Sequence, residues 1–187
     1  MRRTGAIGAL MAAGLLLGAL AGSGPAGATT SSLAHRLLPA SAARKLGFPS
    51  VANKATVSSK TGDKSCPTGA EVVYQNKKAL TGLVVEIFLC NSPSAAKSLI
   101  NKYQKSYAPN PTITPPKALG ASAVASNAGA PVFVYYWTRG SYGAFVAIDT
   151  DATTNSRLST LNRHNPLTPA LQSSLDQAAI KQNAALD

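Results

Sequence analysis

Apolar residues recur along this chain with the period of a strand, then with that of a helix, and the same succession returns further on. Across Leu80–Cys90 (LTGLVVEIFLC), Leu83, Val85, Ile87 and Leu89 fall on one side of an extended backbone. Glu71–Asn76 alternates likewise, with Val72 and Tyr74 on one side, and Asn76-Lys77-Lys78-Ala79 suits the hairpin loop between the two. Ser92-Pro93-Ser94 then reads as a helix start, with Ser92 as N-cap and Pro93 in the first helical position. At about 100° per residue Ala96, Leu99, Ile100, Tyr103 and Tyr107 share one side, and Lys97, Asn101, Lys102 and Lys105 the other. Pro109, Pro111, Pro115 and Pro116 make a stiff connector.

The order then returns. Ala121–Asn127 is a weak strand, and Pro131–Thr138 and Ser141–Thr150 are strong ones joined tightly at Arg139-Gly140. Residues 151–167 are polar and irregular, and Thr168-Pro169 caps a last helix lined by Leu171, Leu175, Ala178, Ala179 and Leu186. Before the first strand, residues 29–47 predict two short helical pieces split at Pro39 and ended by Gly47, while 50–70 read as loop. Hairpins interspersed with helices predict an α+β fold: a twisted antiparallel sheet with helices packed on one face, in two strand-strand-helix halves.

The N-terminus changes the picture of where this domain works. Met1-Arg2-Arg3 is a short basic opening, Gly5–Leu20 is apolar, and Ala26-Gly27-Ala28 fits the small-x-small cleavage rule. We therefore expect a Sec-type signal peptide over 1–28, cleaved after Ala28, and a single secreted domain over 29–187. A retained membrane anchor would need more than this Gly- and Ala-rich stretch, since a span takes about 20 predominantly apolar residues. No cysteine is present for lipidation in this region.

Charge and cysteines narrow the partners. The chain carries 18 Lys+Arg against 7 Asp+Glu, a net charge of +11, which falls to +9 without Arg2 and Arg3. Export removes most nucleic acid from reach, and no nucleic-acid recognition motif is present. Anionic cell-envelope polymers, lipid headgroups or a small ligand are the nearer partners, with Lys97, Lys102 and Lys105 as the basic surface. A monomer is expected. Two Cys and two His cannot complete a zinc site without drawing on a small pool of carboxylates, so neither metal nor cofactor is expected. Outside the cytoplasm Cys66 and Cys90 read as a disulfide closing a loop of about 25 residues, stabilising by roughly 3 kcal/mol.

Candidate chemistry is sparse. Ser94-Ala95-Ala96-Lys97 matches the S-x-x-K of penicillin-recognising enzymes, with Lys60-Thr61-Gly62 and Tyr74-Gln75-Asn76 mimicking its companions in reversed order. Chance supplies such a short match readily in a chain this rich in Ser and Lys. His35 and His164 lack a nucleophile elbow, and Asp149 with Asp151 falls short of a calcium loop. Glu86 interrupts an apolar strand and would need a partner, Arg139 or a Lys, if its face is covered. Tyr135 and Trp137 share a face of their strand, with Tyr142 across the turn. These three, with Arg139 at the rim and Glu86, form the candidate ligand site, and core packing is the competing reading for the rings.

The stretches LLPASAARKLGF, VEIFLCNSPSAAKSLINKY and LGASAVAS…VFVYYWTRGSYGAFVAI together resemble small exported actinobacterial domains. They are similar to the extracellular sensor domain of PknH-type kinases and to secreted Mog1/PsbP-like lipoproteins. In that group a strand–helix unit precedes a Leu-Gly-x-x-Ala strand, here Leu119-Gly120-Ala121-Ser122-Ala123, and a hairpin turning at Arg-Gly. The chain departs from the kinase sensor in offering one cysteine pair rather than two. The resemblance implies a non-enzymatic binding or sensor-like module at the bacterial cell envelope, and it transfers no binding residue. The alternatives are a small secreted Ser-dependent hydrolase and a protein-binding, inhibitor-like module.

Overall fold

The computed structural model describes residues 32–58, 61–106, 108–109, 113–120, 124–127, 132–150 and 167–187. The expected signal peptide, Tyr107, His164 and Asp151 lie outside the described residues. The elements are α1 (Ala40–Lys45), β1 (Ser50–Ser58), β2 (Thr68–Asn76), β3 (Thr81–Leu89), α2 (Pro93–Ser106), β4 (Ala108–Pro109), a 3-10 turn (Lys117–Leu119), β5 (Val124–Asn127), β6 (Val132–Arg139), β7 (Tyr142–Asp149) and α3 (Pro169–Ala184).

All strands join one antiparallel sheet in the order β1-β2-β3-β7-β6-β5-β4. Two meanders, β1–β3 and β5–β7, meet along the central β3–β7 pair, each followed by a helix. The halves are thus three strands and a helix rather than two strands and a helix. The additional strand of the first half is β1, in a segment that reads as loop. Six consecutive residues of β1 are exposed, and its pairing to β2 shifts register twice, between Val51 and Asn53 and between Asn53 and Thr56. It is an edge strand held by backbone hydrogen bonds on one side, so it carries no apolar alternation to read.

The α+β class and the helix-packed antiparallel sheet are as expected, but the helices divide between the sheet's faces rather than sharing one. On the first face Val72, Tyr74, Leu83, Val85, Ile87, Tyr135, Trp137, Val146 and Ile148 pack with Leu33, Leu38, Ala43 and Phe48 around α1 and with Leu175, Ala178 and Ala179 of α3. On the second, Phe88, Val134, Tyr136, Phe145 and Ala147 pack under Ala96, Leu99 and Ile100 of α2. Apolar residues on both sides of β3, β6 and β7 require cover on both.

Local chemistry fixes the ends. α1 closes with Phe48 N–H donating to the Ala43 carbonyl (3.0 Å) and Gly47 N–H to that of Arg44 (3.1 Å), with Gly47 at φ +94°, a Schellman cap that favours glycine. Ser92 Oγ accepts from Ala95 N–H (3.1 Å) to start α2, and Thr168 Oγ1 from Leu171 N–H (3.3 Å) to start α3. The β6–β7 turn is Gly140-Ser141, one residue later than expected, because Arg139 pairs with Tyr142. Cys66 and Cys90 form the expected disulfide. It ties the loop before β2 to the start of α2, beside an Asn91 N–H bond to the Ser65 carbonyl (2.8 Å).

Candidate functional site

The aromatic set of the sequence reading is distributed through the first-face core and the rim of the β6–β7 hairpin. Trp137 and Tyr135 are fully buried. The Trp137 indole Nε1–H donates to Asn183 Oδ1 (3.0 Å), and the Asn183 amide donates to the Ala118 carbonyl (3.0 Å). The Tyr135 hydroxyl donates to Asp176 Oδ1 (2.7 Å), and burial together with that carboxylate holds the phenol well above its ordinary range. Both rings therefore present their polar ends to α3, in the manner of satisfied core aromatics.

Tyr142 is half-buried at the hairpin end, with the Arg36 guanidinium 5.3 Å from its ring centroid. Arg139 pairs with Asp187, its Nε–H donating to Oδ1 (2.7 Å), and so is not the partner of Glu86. Glu86 lies on the opposite face of the sheet, since Val85 and Ile87 point to the first face and Phe88 to the second. The five candidate residues do not converge on one site.

Two polar residues that hold this region together escaped the sequence reading. Gln182 is fully buried; its Oε1 accepts from Leu38 N–H (2.8 Å) and its Nε2–H donates to the Arg36 carbonyl (2.8 Å). Asn183 does the comparable work for Trp137. Their signal was available: positions 182 and 183 continue the stripe of Leu175, Ala178 and Ala179 by helical spacing, so polar residues there must bond inside the core.

The nucleophile candidates are not assembled either. Ser94 and Lys97 are both exposed, and Ser94 Oγ lies 2.9 Å from Ser92 Oγ. Tyr74, which would belong to a companion motif, is buried on the first face with its hydroxyl donating to the Leu38 carbonyl, across the sheet from α2. His35 is exposed. Among the described residues no group of three or more His, Cys, Asp or Glu is placed to hold a metal ion, and no helix is long and apolar enough to cross a membrane.

What the fold does gather is part of the basic stripe. Along the solvent side of α2, Ser98, Asn101, Lys102, Lys105 and Ser106 line an open groove of about 480 Å³. Lys102 and Lys105 come together there, whereas Lys97 is exposed on the flank, outside the lining. The groove offers two ammonium groups, two hydroxyls and a carboxamide, and none of its described lining residues is a carboxylate. Among the described residues Asp63 lies within electrostatic reach of Lys102. Asp63 accepts from Ser65 N–H (2.9 Å) and Ser65 Oγ–H (2.6 Å); these bonds hold its carboxyl below the usual aspartate value, with a further contribution from the Lys102 charge. The opposite side of α2 is fixed on the sheet: Tyr103 stacks on Phe88 and Tyr136 at 5.9 and 6.2 Å, and Ile100 packs over Gly143, where a Cβ would meet it at 3.4 Å. The lysines thus project from a helix whose orientation is set by packing. In comparisons with known proteins, the chain matches no family model and no curated sequence.

Proposed function

We propose that this protein is a non-enzymatic binding module, secreted and working at the bacterial cell envelope, in which the groove on α2 takes a stretch of anionic polymer. The observation that carries the reading is the groove lining itself: Lys102 and Lys105 flanked by Ser98, Asn101 and Ser106, with no carboxylate among them. Lysine ammoniums attract an anion as point charges, and neighbouring hydroxyl and amide donors give its oxygens hydrogen bonds. The open shape suits an extended chain lying along the helix better than an enclosed small molecule. The net charge, +9 once Arg2 and Arg3 leave with the signal peptide, raises the local concentration of any polyanion over the whole surface, which the groove then positions. The resemblance to exported sensor-like domains points the same way.

The test is co-sedimentation of the purified, oxidised protein with isolated cell envelopes across a salt series, for the wild type and a K102E/K105E variant. Retention should be strong at low salt and fall steeply as salt screens the lysines. The double charge reversal should weaken retention at least about tenfold, taking roughly 1 kcal/mol for each basic residue near an anionic surface. Salt-insensitive retention, or equal retention of the variant, would overturn the groove assignment. Absence of retention at low salt would return the charge to a role in solubility, and the hydrolase alternative would then be tested by substitution of Ser94.

A further inference from the structure

The chain contains only two glutamates, and the fold places them directly opposite one another. Glu71 on β2 pairs in register with Glu86 on β3. Side chains of directly opposed residues leave the same face of an antiparallel pair with Cβ atoms about 4.5–5.5 Å apart, and like charges there repel. Here the face is the second one, on which α2 packs over β6 and β7, and Glu86 is 2% exposed.

Among the described residues no counter-charge reaches the pair from an element packed against it. β7 presents Phe145 opposite Glu86, with Gly143 and Ala147 beside it, and none of these titrates. β1 places Thr56 opposite Glu71, and its one charged residue, Lys54, is exposed. From α2 the group that turns to the sheet is Tyr103, while Lys97, Lys102 and Lys105 are all exposed. In the loop before β2, Asp63 is engaged with Ser65 and Lys64 is exposed. Among the described residues Glu86 has no hydrogen bond or ion pair, and the charge that acts on it is that of Glu71.

From this geometry we infer that Glu71 and Glu86 form a coupled acid pair, in which a proton on Glu86 takes the place of a counter-charge and ties the stability of the second sheet face to pH. An ionised carboxylate in an apolar face without a partner is costly, and two facing one another cannot both ionise cheaply. A protonated Glu86 needs no counter-ion, so a proton there lowers the cost of burying it opposite the Glu71 carboxylate. Burial first, and the Glu71 charge second, hold Glu86 well above the ordinary glutamate value; burial also raises Glu71.

The sign of the linkage follows. The unfolded chain releases this proton near the ordinary glutamate pKa, and the native state keeps it longer. Native protein therefore binds more protons over the interval between, and stability falls as pH rises through it. The pair favours the closed face under mildly acid conditions, and its ionisation loosens that face. This inference is independent of the α2 groove and its ligand.

The experiment is a carboxyl-carbon NMR titration of the full chain, wild type and E71Q, paired with urea unfolding of wild type and E86Q between about pH 5 and pH 8. Glu86 should titrate more than about one pH unit above an ordinary glutamate, beyond the usual spread of folded-state values. In E71Q the Glu86 midpoint should move down, because the like charge is gone. In E86Q the decline of stability with rising pH should be lost. A Glu86 midpoint in the ordinary range, a midpoint unmoved by E71Q, or a stability slope retained in E86Q would each overturn the pair. If E86Q does not fold, the E71Q titration decides alone.

Discussion

Asn183 is only 8% exposed on the sheet-facing side of α3, and both ends of its amide are occupied, one by the Trp137 indole and the other by the Ala118 carbonyl. Removing that side chain would strand a buried donor and leave a carbonyl unpartnered, a far larger penalty than the loss of one exchangeable hydrogen bond. N183A should therefore destabilise the protein by about 1–3 kcal/mol, read as a lower urea midpoint at unchanged slope. Trp137 is the chain's one tryptophan, so its fluorescence follows the same transition directly. An unchanged midpoint would mean that this bond contributes nothing net. The residue scale is also where the candidate site was least legible in the sequence. Glu86 stands out in an apolar strand, but Glu71 becomes its partner only through the β2–β3 register, and a one-residue slip would send one of them to the other face. Tyr135 and Trp137 look alike as core rings or ligand platforms until Asp176 and Asn183 on α3 are seen to take their polar ends.

At the scale of elements, α2 joins the two functional proposals, one side packed on the sheet face that carries the glutamate pair and the other carrying the groove. Its start depends on Ser92, whose hydroxyl oxygen accepts from Ala95 N–H while its carbonyl accepts from Ala96 N–H (3.1 Å). Substituting alanine for Ser92 removes the side-chain bond and should cost about 1 kcal/mol. The groove residues Ser98–Ser106 lie beyond the first turn, so S92A should speed amide exchange at residues 94–96 without reducing envelope retention. A parallel loss of retention would show that the helix start, and not the groove alone, takes part in binding. Strands β2, β3, β6 and β7 and helices α2 and α3 were readable because each carries an apolar period matched to its geometry. β1 was not, because an exposed edge strand is specified by its neighbour's backbone rather than by its own side chains. The one-face expectation rests on the layer pattern of hairpins interspersed with helices, which does not say how the helices divide between the faces. The counter-signal lay in β3, where Val84 and Phe88 make the second side nearly as apolar as the first.

For the molecule as a whole, the disulfide ties the two-sided core to a single chain order. Cys66 and Cys90 are separated by 24 residues, and the bridge closes the β2–β3 hairpin at the end where the chain turns into α2. Both sulfurs belong to the second-face core, with Cys66 at 0% and Cys90 at 5% exposure. A closed loop of this size removes unfolded-state entropy equivalent to roughly 3 kcal/mol. A C66A/C90A variant should lose about that much in urea unfolding, the alanines filling the site without adding a polar group. The loss should not be uniform. The first face, built from α1, α3 and the segment around Leu33–Leu38, has no covalent link to the bridge, whereas the entry to α2 is anchored beside it. Amide exchange in the variant should therefore accelerate first at the start of β2 and in α2, and the amides of β6, β7 and α3 should keep most of their protection. Uniform acceleration would mean that the two faces unfold as one unit; acceleration confined to α2 and the start of β2 would identify the α2 face as the part of the molecule that opens first. The latter result would place the groove on the layer whose opening uncovers the second sheet face, which carries Glu86, so that protonation of Glu86 and the presentation of Lys102 and Lys105 would respond to one opening.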